Sequence, residues 1–192
     1  MHCVAVLGSS SLSEEDPLFQ TFQEIGRLIA EQGLCVISHG TSGVAEAVSS
    51  GARGIPEAII TGFTMADELG NRHLTQQHDS CRVPLSPAMT EIWAGIRLGR
   101  LLAASGFIFG PPTDPRTFSE LLTAIAWNAD QRVVSRPKRV AVLRDTHDWW
   151  VDQLQGLRTF LCFDNVLIVD TAREAVDWAT EASIRTPEPA TA

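Results

Sequence analysis

The 192 residues contain no tyrosine, no Cys-x-x-Cys and no unbroken apolar run of the roughly 18 residues that a membrane-spanning helix needs. Its four cysteines, Cys3, Cys35, Cys81 and Cys162, lie far apart. Cys3 and Cys35 fall inside apolar runs, where a reduced thiol behaves as a small hydrophobe. The expectation is therefore four thiols in a reducing cytoplasm, with neither a disulfide framework nor a metal site. The N-terminus (Met1-His2-Cys3-Val4-Ala5-Val6-Leu7-Gly8) has no basic segment ahead of its apolar stretch and no small-residue cleavage site behind it. It reads as a first strand, not a signal peptide. Positive charge is also scarce: 15 Lys+Arg face 23 Asp+Glu, a formal charge of −8. That balance argues against nucleic-acid polymers and anionic membranes as partners. It does not argue against nucleotides, because backbone N–H groups and one or two arginines suffice to hold a phosphate.

The composition is otherwise that of a globular chain, 44% hydrophobic and 20% charged, which sets aside disorder, collagen-like repeats and coiled coil. A chain of this length buries about 70% of its unfolded surface and needs no staple. There is no composition break and no fixed-period repeat, so one domain is expected over 1–184, followed by a frayed tail over 185–192. Short apolar runs alternate with segments of helical period, the signature of an α/β fold: a parallel sheet flanked by helices on both faces. Strands are expected over 3–7, 34–37, 57–61, 81–85, 107–109, 139–143 and 165–170, and helices over 17–32, 43–51, 87–104, 117–129, 149–160 and 172–183. In the first helix Leu18, Phe22, Ile25 and Ile29 recur at helical spacing, Pro17 suits its first turn and Gly33 ends it. The stretch 63–80 lacks a period and reads as a flap or a loop carrying a short helix. His73 and His78 within it read as solvated rather than metal-binding. Trp149-Trp150 reads as an exposed contact patch, since adjacent helix positions cannot both face inward.

Ligands of open parallel sheets bind beyond the carboxyl ends of the strands. Three strand ends carry suitable residues. After the first, Gly8 permits a close turn, and the Ser9 and Ser10 hydroxyls can reach a phosphate or a ribose. After the second, Gly40-Thr41-Ser42-Gly43 opens a helix and concentrates unpaired N–H donors; equally, it is a plain strand-to-helix turn capped by Thr41 or Ser42. It is neither a Walker A loop nor Gly-x-Gly-x-x-Gly. The third is Gly110-Pro111-Pro112-Thr113-Asp114-Pro115-Arg116-Thr117-Phe118-Ser119-Glu120. There Thr117-x-x-Glu120 has the form of a capping box, the preferred reading of that segment alone, while Glu120 could instead face the cleft as a general acid/base.

Taken together, these residues resemble the LOG (Lonely Guy) family and its relatives once labelled lysine decarboxylases. The resemblance runs from Gly8-Ser9-Ser10 through Gly40-x-x-Gly43 and Ala47-Val48 to Gly51-Ala52. It continues through Arg97, eight residues before Ser105, to the stretch Val166-Leu167-Ile168-Val169-Asp170-Thr171. Thr117 and Glu120 fall on the Thr and Glu of the family signature Pro-Gly-Gly-x-Gly-Thr-x-x-Glu, and Arg97 on the arginine that active members use with that glutamate. The resemblance implies a Rossmann-like fold, a homodimer and a hydrolase that cleaves the N-glycosidic bond of nucleoside 5′-monophosphates, without metal or cofactor. In that reading Glu120 stabilises the charge on the sugar and activates water, and Arg97 holds the phosphate or orients Glu120. Gly8, Ser9, Ser10, Gly40, Thr41, Ser42, Gly43, Arg116 and Thr117 hold the ligand and its phosphate.

The sequence departs from the signature in the third loop, where Pro111 and Pro112 follow Gly110 and Arg116 takes the last glycine position. Ser38, His39 and Glu46 replace glycines of the second turn. Proline has no N–H to offer a phosphate, although Arg116 supplies a charged fork that could partly substitute. These departures give weight to an alternative: a non-catalytic binder or carrier of a phosphorylated ligand, similar in fold to molybdenum-cofactor carrier proteins.

Overall fold

In a computed structural model, which describes residues 2–40, 42–65, 81–83, 103–129, 137–144, 149–157 and 163–184, the apolar runs become strands β1 (Cys3–Leu7), β2 (Cys35–Ser38), β3 (Ile60–Met65), β4 (Cys81–Val83), β5 (Gly106–Phe109), β6 (Arg139–Leu143) and β7 (Val166–Val169). Every strand pair is parallel, in the order β4-β3-β2-β1-β5-β6-β7. The described helices are α1 (Pro17–Glu31), α2 (Val44–Arg53), α3 (Pro115–Ala129), α4 (Trp149–Leu157) and α5 (Ala172–Ile184). The order reverses at β1, which lies between β2 and β5, so the topological switch point falls where β1 and β5 end.

Alternation along the strands sorts the core into two layers. Val4, Val6, Val36, Ile108 and Val169 pack with α1, α2 and α5 on one face. Ala5, Leu7, Ile37, Phe107, Phe109 and Val142 pack with α3 and α4 on the other. Burial on both faces is the condition for a parallel sheet, and it explains the near-continuous apolar runs. The fold is thus the expected α/β, Rossmann-like parallel sheet covered on both sides.

Several boundaries differ from the sequence expectation. β3 begins at Ile60 rather than at residue 57, because Glu57 takes a left-handed φ of 63° and Ala58 N–H closes a turn onto Ile55 O at 3.3 Å. The strand then continues through Phe63, Thr64 and Met65, residues expected to open the flap. Trp150 is wholly buried in the α3–α4 layer, which corrects its reading as an exposed patch. The expected strand at 81–85 is present as the short β4. Most of the flap, most of the helix expected at 87–104 and the tail lie outside the described residues. No helix among the described residues is long and apolar enough to cross a membrane, and no group of three His, Cys, Asp or Glu there could hold a metal.

Candidate functional site

The strand-to-helix turns after β1, β2 and β5 meet at the switch point. Gly43 takes a left-handed φ of 69°, and a Cβ there would run into the Ser9 carbonyl and the Ser10 backbone. This close approach lets Val44 N–H donate to Ser9 O at 3.0 Å and the Ser42 hydroxyl donate to Ser10 O at 2.9 Å. The first and second turns are therefore laced together. At Gly8 a Cβ would stand 2.7 Å from a Val44 methyl, so this position too is fitted to the start of α2. The third turn joins through Gly110, whose N–H donates to Leu7 O at 2.8 Å.

Because the Ser42 hydroxyl is used on Ser10, it does not cap α2. The helix starts at Gly43 with no side-chain cap hydrogen bond, contrary to the capped-turn reading for Ser42. Without a side-chain cap, the amides that follow Val44, whose own N–H goes to Ser9 O, keep the positive helix end available to an anion. Beside it, between the first and third turns, lies a cavity of about 130 Å³ lined by Ser9, Ser11, Asp16, Phe22, Val44 and Gly110, among others. This volume suits a phosphate-sized group rather than a whole drug-sized ligand. Asp16 and Leu18 also line a separate open groove of about 850 Å³ bounded by Ser13, Glu15, Arg144 and Asp170. Thr41 and Arg97 lie outside the described residues.

At the head of α3 the structure corrects the expected capping box. Asp114, not Thr117, is the cap: its Oδ1 accepts from Thr117 N–H at 2.9 Å, and its Oδ2 accepts from the Thr117 hydroxyl at 2.7 Å. Pro115 then occupies the first helical position, where no N–H is missed. Thr117 is buried, with its backbone and hydroxyl donors both turned to Asp114.

Glu120 is consequently released from capping and turns toward the end of β2. Its Oε2 lies 3.5 Å from Nε2 of His39, and its Oε1 lies 3.7 Å from Nε of Arg116. Arg116 is half exposed, whereas the side chains of His39 and Glu120 are 12% and 14% exposed. Burial pushes the Glu120 carboxyl up to about 7; Arg116 pulls it back and Asp114 adds to the rise. Burial, reinforced by Arg116, pushes the His39 imidazole down to about 3. His39 Nε2 has no hydrogen-bond partner among the described residues. His39 was not among the site residues expected from sequence, yet the alternation Cys35, Ile37, His39 points it to the face of the sheet that carries α3. The described lining of the 130 Å³ cavity includes neither Glu120 nor Arg116.

Residues 1–89 match the SLOG cluster4 family. The resemblance to LOG-like proteins is borne out. The SLOG match contains the first two turns and ends ahead of the loop that carries Glu120. Among solved structures, the molybdenum cofactor binding protein of the phototrophic bacterium Rippkaea orientalis aligns with a TM-score of 0.66 at 18% identity, covering 94% of this chain and 96% of that one. The molybdenum cofactor carrier protein of Chlamydomonas reinhardtii gives 0.63 at 17% identity, with 96% and 99% covered. DNA processing protein A of Helicobacter pylori, which has a single-stranded DNA binding mode, gives 0.59 at 14%, with 92% and 79% covered. No curated protein matches the sequence. The structural likenesses establish a shared fold, and the differing ligands of those proteins show that the fold does not by itself choose one.

Proposed function

We propose that the protein binds a small phosphorylated metabolite, as a binder or carrier, at the carboxyl ends of β1, β2 and β5. The observation that carries this reading is the junction of the Ser9, Ser42 and Gly110 turns around the uncapped start of α2. Gly8, Ser9, Ser10, Gly40, Thr41, Ser42 and Gly43 would supply backbone and hydroxyl donors to the phosphate, and Arg116 a cation at the rim. Thr117 serves by fixing the third turn through Asp114. An acidic chain can hold an anion in this way because the donors are local dipoles, independent of net charge. The fold neighbours that hold the molybdenum cofactor favour a carried ligand, as does Glu120's absence from the described lining of the phosphate-sized cavity.

A second reading, a nucleoside 5′-monophosphate phosphoribohydrolase acting through Glu120 and Arg97, draws support from one observation. A carboxyl raised to about 7 is poised for general acid/base work near neutral pH. One experiment separates the two: incubate the protein with AMP and the other nucleoside monophosphates, following thermal stability and free base together. Ligand at about 100 times Kd stabilises by about 2.7 kcal/mol, or a Tm rise of roughly 5–10 °C for a chain of this size. A rise without base release supports the binder. Base release lost in Glu120→Gln establishes the hydrolase, and no rise with any phosphorylated ligand removes the binding reading.

A further inference from the structure

We propose that Cys3 and Cys35 are a redox pair, oxidised by a low-molecular-weight disulfide to a cross-strand bond that a thiol reductant reopens. The pair lies at the amino ends of its strands, away from the three turns, and its chemistry is independent of the ligand. Cys3 opens β1, Cys35 opens β2, and the two are direct partners in the parallel ladder. Both face the core layer that carries α3 and α4, so their Cβ atoms leave the sheet on the same side. Neighbouring strands lie about 4.7–4.9 Å apart, inside the Cα separation of about 4.4–6.8 Å that a disulfide spans.

The backbone holds the two residues in place. Cys35 N–H donates to His2 O at 3.0 Å, and Ser105 N–H donates to Cys3 O at 2.7 Å. The Cys3 side chain stays partly exposed, whereas Cys35 is buried with its Sγ 3.8 Å from the Thr61 hydroxyl of β3. Reaching Cys3 takes a χ1 rotation of Cys35 from the β3 side to the β1 side, between staggered positions. The Cβ atoms must also draw in from the strand spacing toward about 3.8 Å. A bond closed under such strain is readily reduced, which suits a reversible pair rather than a structural staple.

Exposure sets the order of events. The Cys3 thiolate attacks one sulfur of the incoming disulfide and expels the other half as a thiolate, leaving a mixed disulfide on Cys3. The Cys35 thiolate then attacks the Cys3 sulfur, and the second half of the oxidant departs as a thiolate. Two electrons pass from the cysteines to the reagent, and the two thiol protons end on the two thiols released. The product closes a loop of about 30 residues and ties β1 to β2 at the end of the sheet opposite the turns.

The test equilibrates the full, folded chain with reduced and oxidised glutathione at a series of ratios, followed by acid quench, alkylation and tryptic digestion. The expected product joins the peptides over residues 1–27 and 28–53, is two hydrogens lighter than their sum, and is lost on adding dithiothreitol. In Cys35→Ala, glutathione should instead stay attached to Cys3. In Cys3→Ser, Cys35 should remain unmodified at every ratio that leaves the circular dichroism native. Glutathione retained on Cys3 of the wild type overturns the proposal. So does a preference for bonds to Cys81 or Cys162, or alkylation of both Cys3 and Cys35 at the most oxidising ratio. Should either variant fail to fold, the wild-type peptide map alone decides between these results.

Discussion

At Glu120, burial and the neighbouring Arg116 act in opposite directions and burial prevails, so this carboxyl binds protons more tightly folded than unfolded. The stability it confers is greatest at low pH, declines as pH rises from about 4.5 to about 7, and stays low above that. His39 has the opposite sense: its lowered proton affinity makes stability rise from about pH 3 to about 6.5. The two slopes offset each other where they overlap. Glu120→Gln leaves only the His39 slope, so its stability advantage over the wild type should grow between pH 4.5 and 7 to roughly 1–3 kcal/mol. Urea unfolding at pH 4.5 and pH 8 checks this, and an advantage of equal size at both pH values contradicts it. Glu120 stood out in the sequence because its spacing from Thr117 is distinctive. His39 did not, because a lone histidine after an apolar run carries no motif. Its significance comes from the parity of β2 and from α3 lying opposite, and the latter is a tertiary fact.

Two segments of this chain read Thr-x-x-Glu at the head of a helix, and the structure uses them differently. At α5, Thr171 and Glu174 form a reciprocal box: Glu174 N–H donates to the Thr171 hydroxyl at 3.2 Å, and Thr171 N–H donates to the Glu174 carboxylate at 3.1 Å. At α3 the same letters sit one turn too far into the helix, because Asp114-Pro115 starts it earlier. Aspartate before proline is a strong start signal, and it frees Glu120 for other work. Asp114→Ala should therefore cost about 1–2 kcal/mol, whereas Thr117→Ala, which retains the backbone bond to Asp114, should cost less. Chemical denaturation of both variants tests the order. Gly43→Ala meets both a left-handed φ and the Ser9 backbone, and should cost at least 1–3 kcal/mol. It should also abolish anion binding by separating the first two turns. An alanine variant with wild-type stability and affinity contradicts the interlock.

Across the whole molecule the parallel sense of the sheet and its cover on both faces follow from alternation and length: short apolar runs joined by helical segments leave a doubly covered parallel sheet as the economical arrangement, whereas the strand order is set by tertiary pairing. The start of β3 at Ile60 is hidden in the sequence because Glu57's left-handed turn has no signal as plain as glycine. The burial of Trp150 is equally hidden, because adjacent tryptophans do not reveal which of the two faces inward. Its complete burial predicts that Trp150→Ala costs about 3–5 kcal/mol. The ligand was the least legible property, since proteins of this fold hold both a metal cofactor and single-stranded DNA. In this chain the three turns interlock around the start of α2. The most direct test is NMR mapping of backbone amides during titration with inorganic phosphate. The account predicts that Ser9, Ser10, Gly40 and Gly43 shift together with one dissociation constant. Shifts confined to the groove around Arg144 and Asp170, with those four amides unmoved, would contradict it.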